Sequence, residues 1–206
     1  MKRLLFAISI AMPLCVAQQP TPKPAIFPLT NHSRWEYSGT AKLQGNPGKQ
    51  AVRLHMEVIE VLDRGAVRAA WVRGSPLGLM DHSDGPGDQV IARVGQSMYA
   101  TDSVRSSEVR MRIQDPADSL KDLFRDSEFL LDTALPVNPD PNPSCKSCWA
   151  TSMTGAEYQI TRRSAQGFEC IRFRPGVGIT GFDFENTARR ESASVRLDES
   201  DVQPER

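Results

Sequence analysis

Along much of this 206-residue chain, hydrophobic and polar side chains alternate with a period of two. In Ala51 to Leu62 (AVRLHMEVIEVL), Val52, Leu54, Met56 and Val58 fall on one face and Arg53, His55 and Glu57 on the other. That period places successive side chains on opposite sides of a pleated strand. Asp63-Arg64-Gly65 closes the run and Ala66 to Arg73 follows, which predicts a β-hairpin with a short turn. Trp35 to Leu43 carries Trp35, Tyr37, Gly39 and Ala41 on one face and predicts the first strand, with Gly45-Asn46-Pro47-Gly48 as a turn. Further strands are predicted over Gln89 to Val94, Ser97 to Thr101, Glu108 to Ile113, Phe129 to Leu135, Trp149 to Met153, Glu157 to Arg163 and Ser192 to Leu197.

The pattern is densest in Gly167 to Glu185. Phe168, Cys170 and Arg172 share one face, and Glu169, Ile171 and Phe173 share the other. A second alternating run, Ile179 to Phe184, leaves the break at Arg174-Pro175-Gly176. Pro175, Gly176 and Gly178 read as structural turn residues, the glycines letting the backbone take positive φ between two aromatic strands. Gly176-Val177-Gly178 lacks the third glycine and the following helix of a nucleotide-binding loop.

One helix is predicted, from about Pro116 to Arg125. Asp115 would cap it, Pro116 would occupy its first position, and Leu120, Leu123 and Phe124 follow at helical spacing. Two stretches resist regular structure: the loop-rich Gly74 to Asp88, and Pro136 to Pro143, whose four prolines remove donors and fix φ. About ten short strands and one short helix predict a mostly β domain, a curved antiparallel sheet or partly open barrel. No βαβ rhythm supports a Rossmann or flavodoxin-like fold.

The first residues alter the domain boundaries. Met1-Lys2-Arg3 is a basic start, Leu4 to Val16 an apolar run, and Cys15-Val16-Ala17 offers small residues before a cut after Ala17. This predicts a signal peptide over 1–17 and export to the periplasm or the extracellular space. The run is shorter than the roughly 18–20 apolar residues a spanning helix needs, and no later segment reaches that length. Cys15 raises a lipoprotein alternative, but Met12-Pro13-Leu14 does not match the small residues that directly precede a lipidated cysteine. Positions 18–25 read as a Pro-rich tether, 26–197 as one β domain and 198–206 as a charged, frayed tail. Removing the leader leaves 23 basic against 25 acidic residues, so no basic excess exists to hold nucleic acid.

Candidate chemistry is sparse. Cys145-Lys146-Ser147-Cys148, with Cys170 downstream, admits a redox pair, a metal site or a structural disulfide. The motif precedes a strand rather than opening a helix, and three mature cysteines fall short of a four-ligand zinc set. Export favours a structural bridge from Cys145 or Cys148 to Cys170, closing a loop worth roughly 3 kcal/mol in the chain-entropy account. Asp81 to Asp88 is rich in oxygen ligands but lacks calcium-loop spacing and reads as a turn. No metal and no cofactor is expected. Of the three histidines, His55 reads as a solvated strand residue, and no nucleophile-elbow motif accompanies any of them.

Phe27-Pro28-Leu29 followed by Trp35-Glu36-Tyr37, and Phe173-Arg174-Pro175-Gly176-Val177-Gly178-Ile179, resemble the two ends of a group of exported bacterial β proteins. In that group the second motif is followed by a charged strand, here Ala188 to Leu197. The resemblance implies an antiparallel β fold, sometimes classed with lipoproteins or pilus assembly, and carries no catalytic residues. It departs between Pro136 and Trp149, where this chain has a Pro-rich, Cys-containing insert. The expected function is that of a non-enzymatic exported domain. Trp35, Tyr37, Trp71, Phe173 and Phe182 read first as core; where they line an open concave face they would bind an apolar ligand or an envelope protein, and a face filled by its own side chains counts against binding. The alternative is a secreted hydrolase using His82 with Asp81 or Asp84, or a thiol oxidoreductase using Cys145 and Cys148.

Overall fold

The computed structural model of the protein describes residues 27–43, 45, 48–80, 87–124, 128–132 and 149–203. The leader, the tether, His82, Asp81, Asp84, Cys145 and Cys148 lie outside them. The described chain forms eleven strands: β1 (Arg34–Lys42), β2 (Gln50–Arg64), β3 (Val67–Arg73), β4 (Gln89–Val94), β5 (Ser97–Ala100), β6 (Glu128–Asp132), β7 (Trp149–Thr154), β8 (Glu157–Ser164), β9 (Gly167–Arg174), β10 (Gly178–Asn186) and β11 (Glu191–Asp201). They join in one sheet of order β6-β5-β4-β3-β2-β1-β11-β10-β9-β8-β7. Each pairs antiparallel with its neighbours. The first and last strands therefore meet at the centre, and β6 and β7, consecutive in sequence, are the two edges.

The sheet curls into a half-barrel. Extra residues help it bend, since a bulge increases local twist. Register shifts fall between Glu36 and Tyr37, between Val58 and Glu60, and between Ile179 and Gly181. The shift at Ile59 also changes parity. Leu54, Met56 and Val58 face inward, whereas Glu60 lies opposite Trp71 on the outer side.

The inner face carries the main core. Trp35, Tyr37, Met56, Val72, Ile91, Ile171, Phe173, Ile179, Phe182 and Val195 are fully buried there. Two short segments cover it: Phe27 to Leu29, and a 3₁₀ helix over Pro76–Met80 that inserts Leu77 and Leu79. The Phe27 ring stacks on Trp35 at 5.5 Å between centroids. Behind Phe27, Thr30 Oγ1 donates to the Gln203 carbonyl at 2.7 Å, and Gln203 N–H donates to Ser33 Oγ at 3.1 Å.

A smaller cluster occupies the outer face over β3–β5, beneath helix α1 (Ser103–Gln114). This is why Val67, Ala69, Ala70 and Val72 of β3 are all buried: both faces are covered there. The helix lies one element earlier than the sequence pattern predicts. Asp102 caps its start, accepting from Arg105 N–H at 2.8 Å, and Asp115 ends it. Glu108 to Ile113 is therefore helical, not a strand. Val109 and Ile113, four apart, are buried, while Met111 between them is 64% exposed. Three apolar residues at period two were compatible with a strand, but only the pair at helical spacing packs. Arg64 Nη1 donates to the Arg112 carbonyl at 2.9 Å and satisfies an open group of the last turn. Past Asp115 the backbone takes positive φ at Leu120 (55°) and Asp122 (57°), which interrupts any helix over Pro116 to Arg125. The C-terminal strand also runs further than expected: β11 continues through Asp201, opposite Arg34, instead of fraying at Asp198.

Two side-chain bonds connect the central strand to the corner between β9 and β10. Trp35 Nε1–H donates to the Val177 carbonyl at 2.6 Å, and the Tyr37 phenol donates to the Ile179 carbonyl at 2.9 Å. Tyr37→Phe leaves the packing and removes the second bond. It should cost about 1–3 kcal/mol, because a buried acceptor loses its donor. An unchanged urea midpoint would refute this role.

Candidate functional site

The structure brings Trp35, Tyr37, Phe173 and Phe182 together on the inner face, where their own side chains fill the space. Burial pushes the Tyr37 phenol well above its ordinary pKa, so it stays a donor. Trp71 does not join them. It lies on the outer face because Ala70 and Val72, its strand neighbours, point inward. Its ring packs under the Arg110 guanidinium at 4.9 Å, and its Nε1–H donates to Asp88 Oδ2 at 3.0 Å. The five aromatics therefore do not line one pocket.

At the corner, Gly176 (φ 79°) and Gly178 (φ 96°) follow Pro175, and Val177 N–H donates to the Arg174 carbonyl at 3.0 Å. A Cβ on Gly178 would lie 2.9 Å from the Phe27 ring, so this glycine lets the inner cover close. Cys170 carries a free, buried thiol between cross-strand partners Thr161 and Asp183, and its candidate partners Cys145 and Cys148 lie outside the described residues.

An open recess of about 290 Å³ lies at the other end of the inner face, between the β8–β9 and β10–β11 turns. It follows from strand parity. Glu169 continues the inward row of Ile171 and Phe173, and Glu191 that of Ala193 and Val195. Phe184 continues the row of Phe182, and Arg162 that of Ile160. Cross-strand register sets Arg162 against Glu169 and Glu169 against Phe184. The result is an apolar floor that ends in charged residues.

The two turns that wall the recess are clasped. Thr187 N–H and Oγ1 both donate to the Gln166 carbonyl, at 2.7 and 2.9 Å. Gly167, at φ 148°, permits the contact, since a Cβ there would lie 1.7 Å from the Glu185 carbonyl oxygen. The Arg162 guanidinium pairs with Glu169. Glu191, only 8% exposed, has no hydrogen bond or ion pair among the described residues. The sequence pattern contains half of this site. It places Glu169 beside Ile171 and Phe173, but starting the last strand at Ser192 leaves Glu191 out of the inward row.

The outer face opposite carries a different cluster. Arg196 Nη1 and Ser194 Oγ donate to Asp183 Oδ1 at 2.8 and 2.6 Å, and Arg172 pairs with Oδ2. Burial alone would raise the Asp183 pKa, but hydrogen bonds from Arg196, Ser194 and Arg172 outweigh it and hold the carboxyl below its ordinary 3.8. The cluster joins β9, β10 and β11. His55 is half-exposed beside Glu36 on the same face. Among the described residues, no group of three or more His, Cys, Asp and Glu side chains has the arrangement of a metal site.

No protein-family model matches this sequence, and no curated protein matches it either. Several solved structures are similar in outline. One is an exported protein with a YmcC-like fold from Bacteroides fragilis, 10% identical, matched over 86% of this chain and 99% of that one with a TM-score of 0.40. A lipoprotein from Parabacteroides distasonis is 11% identical, matched over 88% and 100%, again at 0.40. An outer-membrane lipoprotein-sorting domain from Vibrio parahaemolyticus is 8% identical, matched over 84% and 86%, at 0.31. At such identities and scores, none of these likenesses says what the present chain binds.

The Asp183 cluster generates a pH prediction. A carboxyl with a folded pKa below its unfolded value stabilises the fold above the unfolded value, and that contribution disappears as pH falls. Stability should decline as pH drops through about 4, and Asp183→Asn should lower it at neutral pH while flattening the acid decline. Asp118, held low by Arg112, keeps part of the slope. Parallel denaturation curves of the two proteins from pH 7 to 3 would contradict the assignment.

Proposed function

We propose that this chain is an exported, non-enzymatic β domain that binds an apolar ligand, or an apolar segment of an envelope partner, on the inner face of its curled sheet. One observation carries the reading. A continuous apolar surface from β5 to β8 is covered, among the described residues, by two short irregular segments, Phe27 to Leu29 and Pro76–Met80. The only described α-helix packs on the opposite face. Short irregular covers open at lower free energy than ladder strands, which would give a ligand a route to the apolar face. Ligand sites of this type are concave and mostly apolar, with a few polar groups at one end. The leader at Met1 to Ala17 supports a periplasmic or extracellular location. No described helix is long and apolar enough to cross a membrane.

The test is mass spectrometry of small molecules released from the protein purified from its native envelope fraction. A bound lipid or comparable amphiphile is expected. After delipidation, adding a decyl-chain ligand should shift the fluorescence of Trp35 in a background where Trp71 and Trp149 are both replaced by Phe. Loss of both signals, with no ligand released and no shift on addition, would overturn the reading.

A further inference from the structure

We infer that the recess between the β8–β9 and β10–β11 turns is a binding site for an organic cation, an alkylammonium group. The inference deepens the proposed function by naming the head group of its ligand, and only the tail's placement rests on that reading. Glu191 carries it. This side chain is more than nine-tenths buried, lines the recess, and has no partner among the described residues. A buried carboxylate without a counter-charge is unfavourable, and the cavity gives a cation access to it.

The rest of the lining agrees in sign. Glu169 adds a second carboxylate, and Arg162, the one cation on the wall among the described residues, already pairs with it. Lys42, Lys49 and Arg190 border an adjoining recess, yet none forms an ion pair with Glu185 or Glu191. Phe184 lines the same cavity. Aromatic faces attract weakly hydrated organic cations, whereas a small metal ion would ask for several converging oxygens, which the described residues do not arrange. The volume of about 290 Å³ holds an ammonium group with the start of an alkyl chain. Phe184 belongs both to this wall and to the apolar core, so a tail leaving the head group meets the inner face.

The test uses calorimetry on the full mature chain with four probes: decyltrimethylammonium below its micelle concentration, decanol, decanoate and tetramethylammonium. Decyltrimethylammonium should bind at least about tenfold more tightly than decanoate, and Glu191→Gln should remove that preference while leaving decanol unchanged. Glu199→Gln, an exposed carboxylate elsewhere on β11, should change nothing. The denaturation midpoint of each variant shows that it folds. If decanol and decyltrimethylammonium bind equally and Glu191→Gln has no effect, the cation site is refuted while the apolar reading stands. If tetramethylammonium binds in a Glu191-dependent way and no decyl tail adds affinity, the cation site stands and the apolar reading fails. Binding of none of the four probes refutes both. A free amine and a lipid head group separate by the same comparison, since only the latter gains from its tail.

Discussion

The pairing of β1 with β11, and the two aromatic side chains that β1 sends across the inner face, hold this molecule together. Trp35 and Tyr37 each bond to a carbonyl 142 residues away in sequence, at Val177 and Ile179. An indole and a phenol are large apolar bodies with one donor each, so burying them completely is favourable only where that donor finds an acceptor. The turn at Pro175 to Gly178 supplies the acceptors, and Gly178 leaves room for Phe27 to stack on Trp35. Chain start, central strand and C-terminal hairpin thus depend on one another. An arrangement of such long sequence separation forms only when most of the sheet is present.

The curl of the sheet then divides the molecule. The inner face is one apolar cluster, while the outer face is apolar only beneath α1 and charged over β1 and β9–β11. On that charged half Asp183 collects donors from two arginines and a serine and ties three strands across their polar side. Charge-assisted bonds of this kind fix register without enlarging the core. Trp71 belongs to the outer division, which explains why an aromatic on an inner-lining strand shares nothing with the inner aromatics.

The recess is where the two characters meet. Each inward row ends at its turn with a residue that period two places inside, and three of those residues, Arg162, Glu169 and Glu191, are charged. Arg162 and Glu169 neutralise each other, and Glu191 does not share in that pair. An apolar trough with an acidic end beside Phe184 has the polarity of an amphiphile with a cationic head. The clasp between Thr187 and Gln166 keeps that end from collapsing.

By itself the sequence determined the strands and most of their faces, because period two is a property of the backbone that needs no partner. It placed Glu169, Ile171 and Phe173 on one side and located the β2–β3 hairpin from alternation and turn chemistry alone. It misplaced the helix, since Val109, Met111 and Ile113 satisfy a period of two and a period of four at once, and only packing against β4 selects between them. It grouped Trp71 with Trp35 because alternation does not say which face of a strand turns inward. It offered Cys170 as one end of a structural bridge, and the sheet buries that thiol between β8 and β10. The order of the strands, the coverage of both faces of β3, and the burial of Glu191 without a partner were decided by the tertiary structure alone. All three depend on contacts between residues far apart in sequence, and on the bulges that curl the sheet enough to make those contacts.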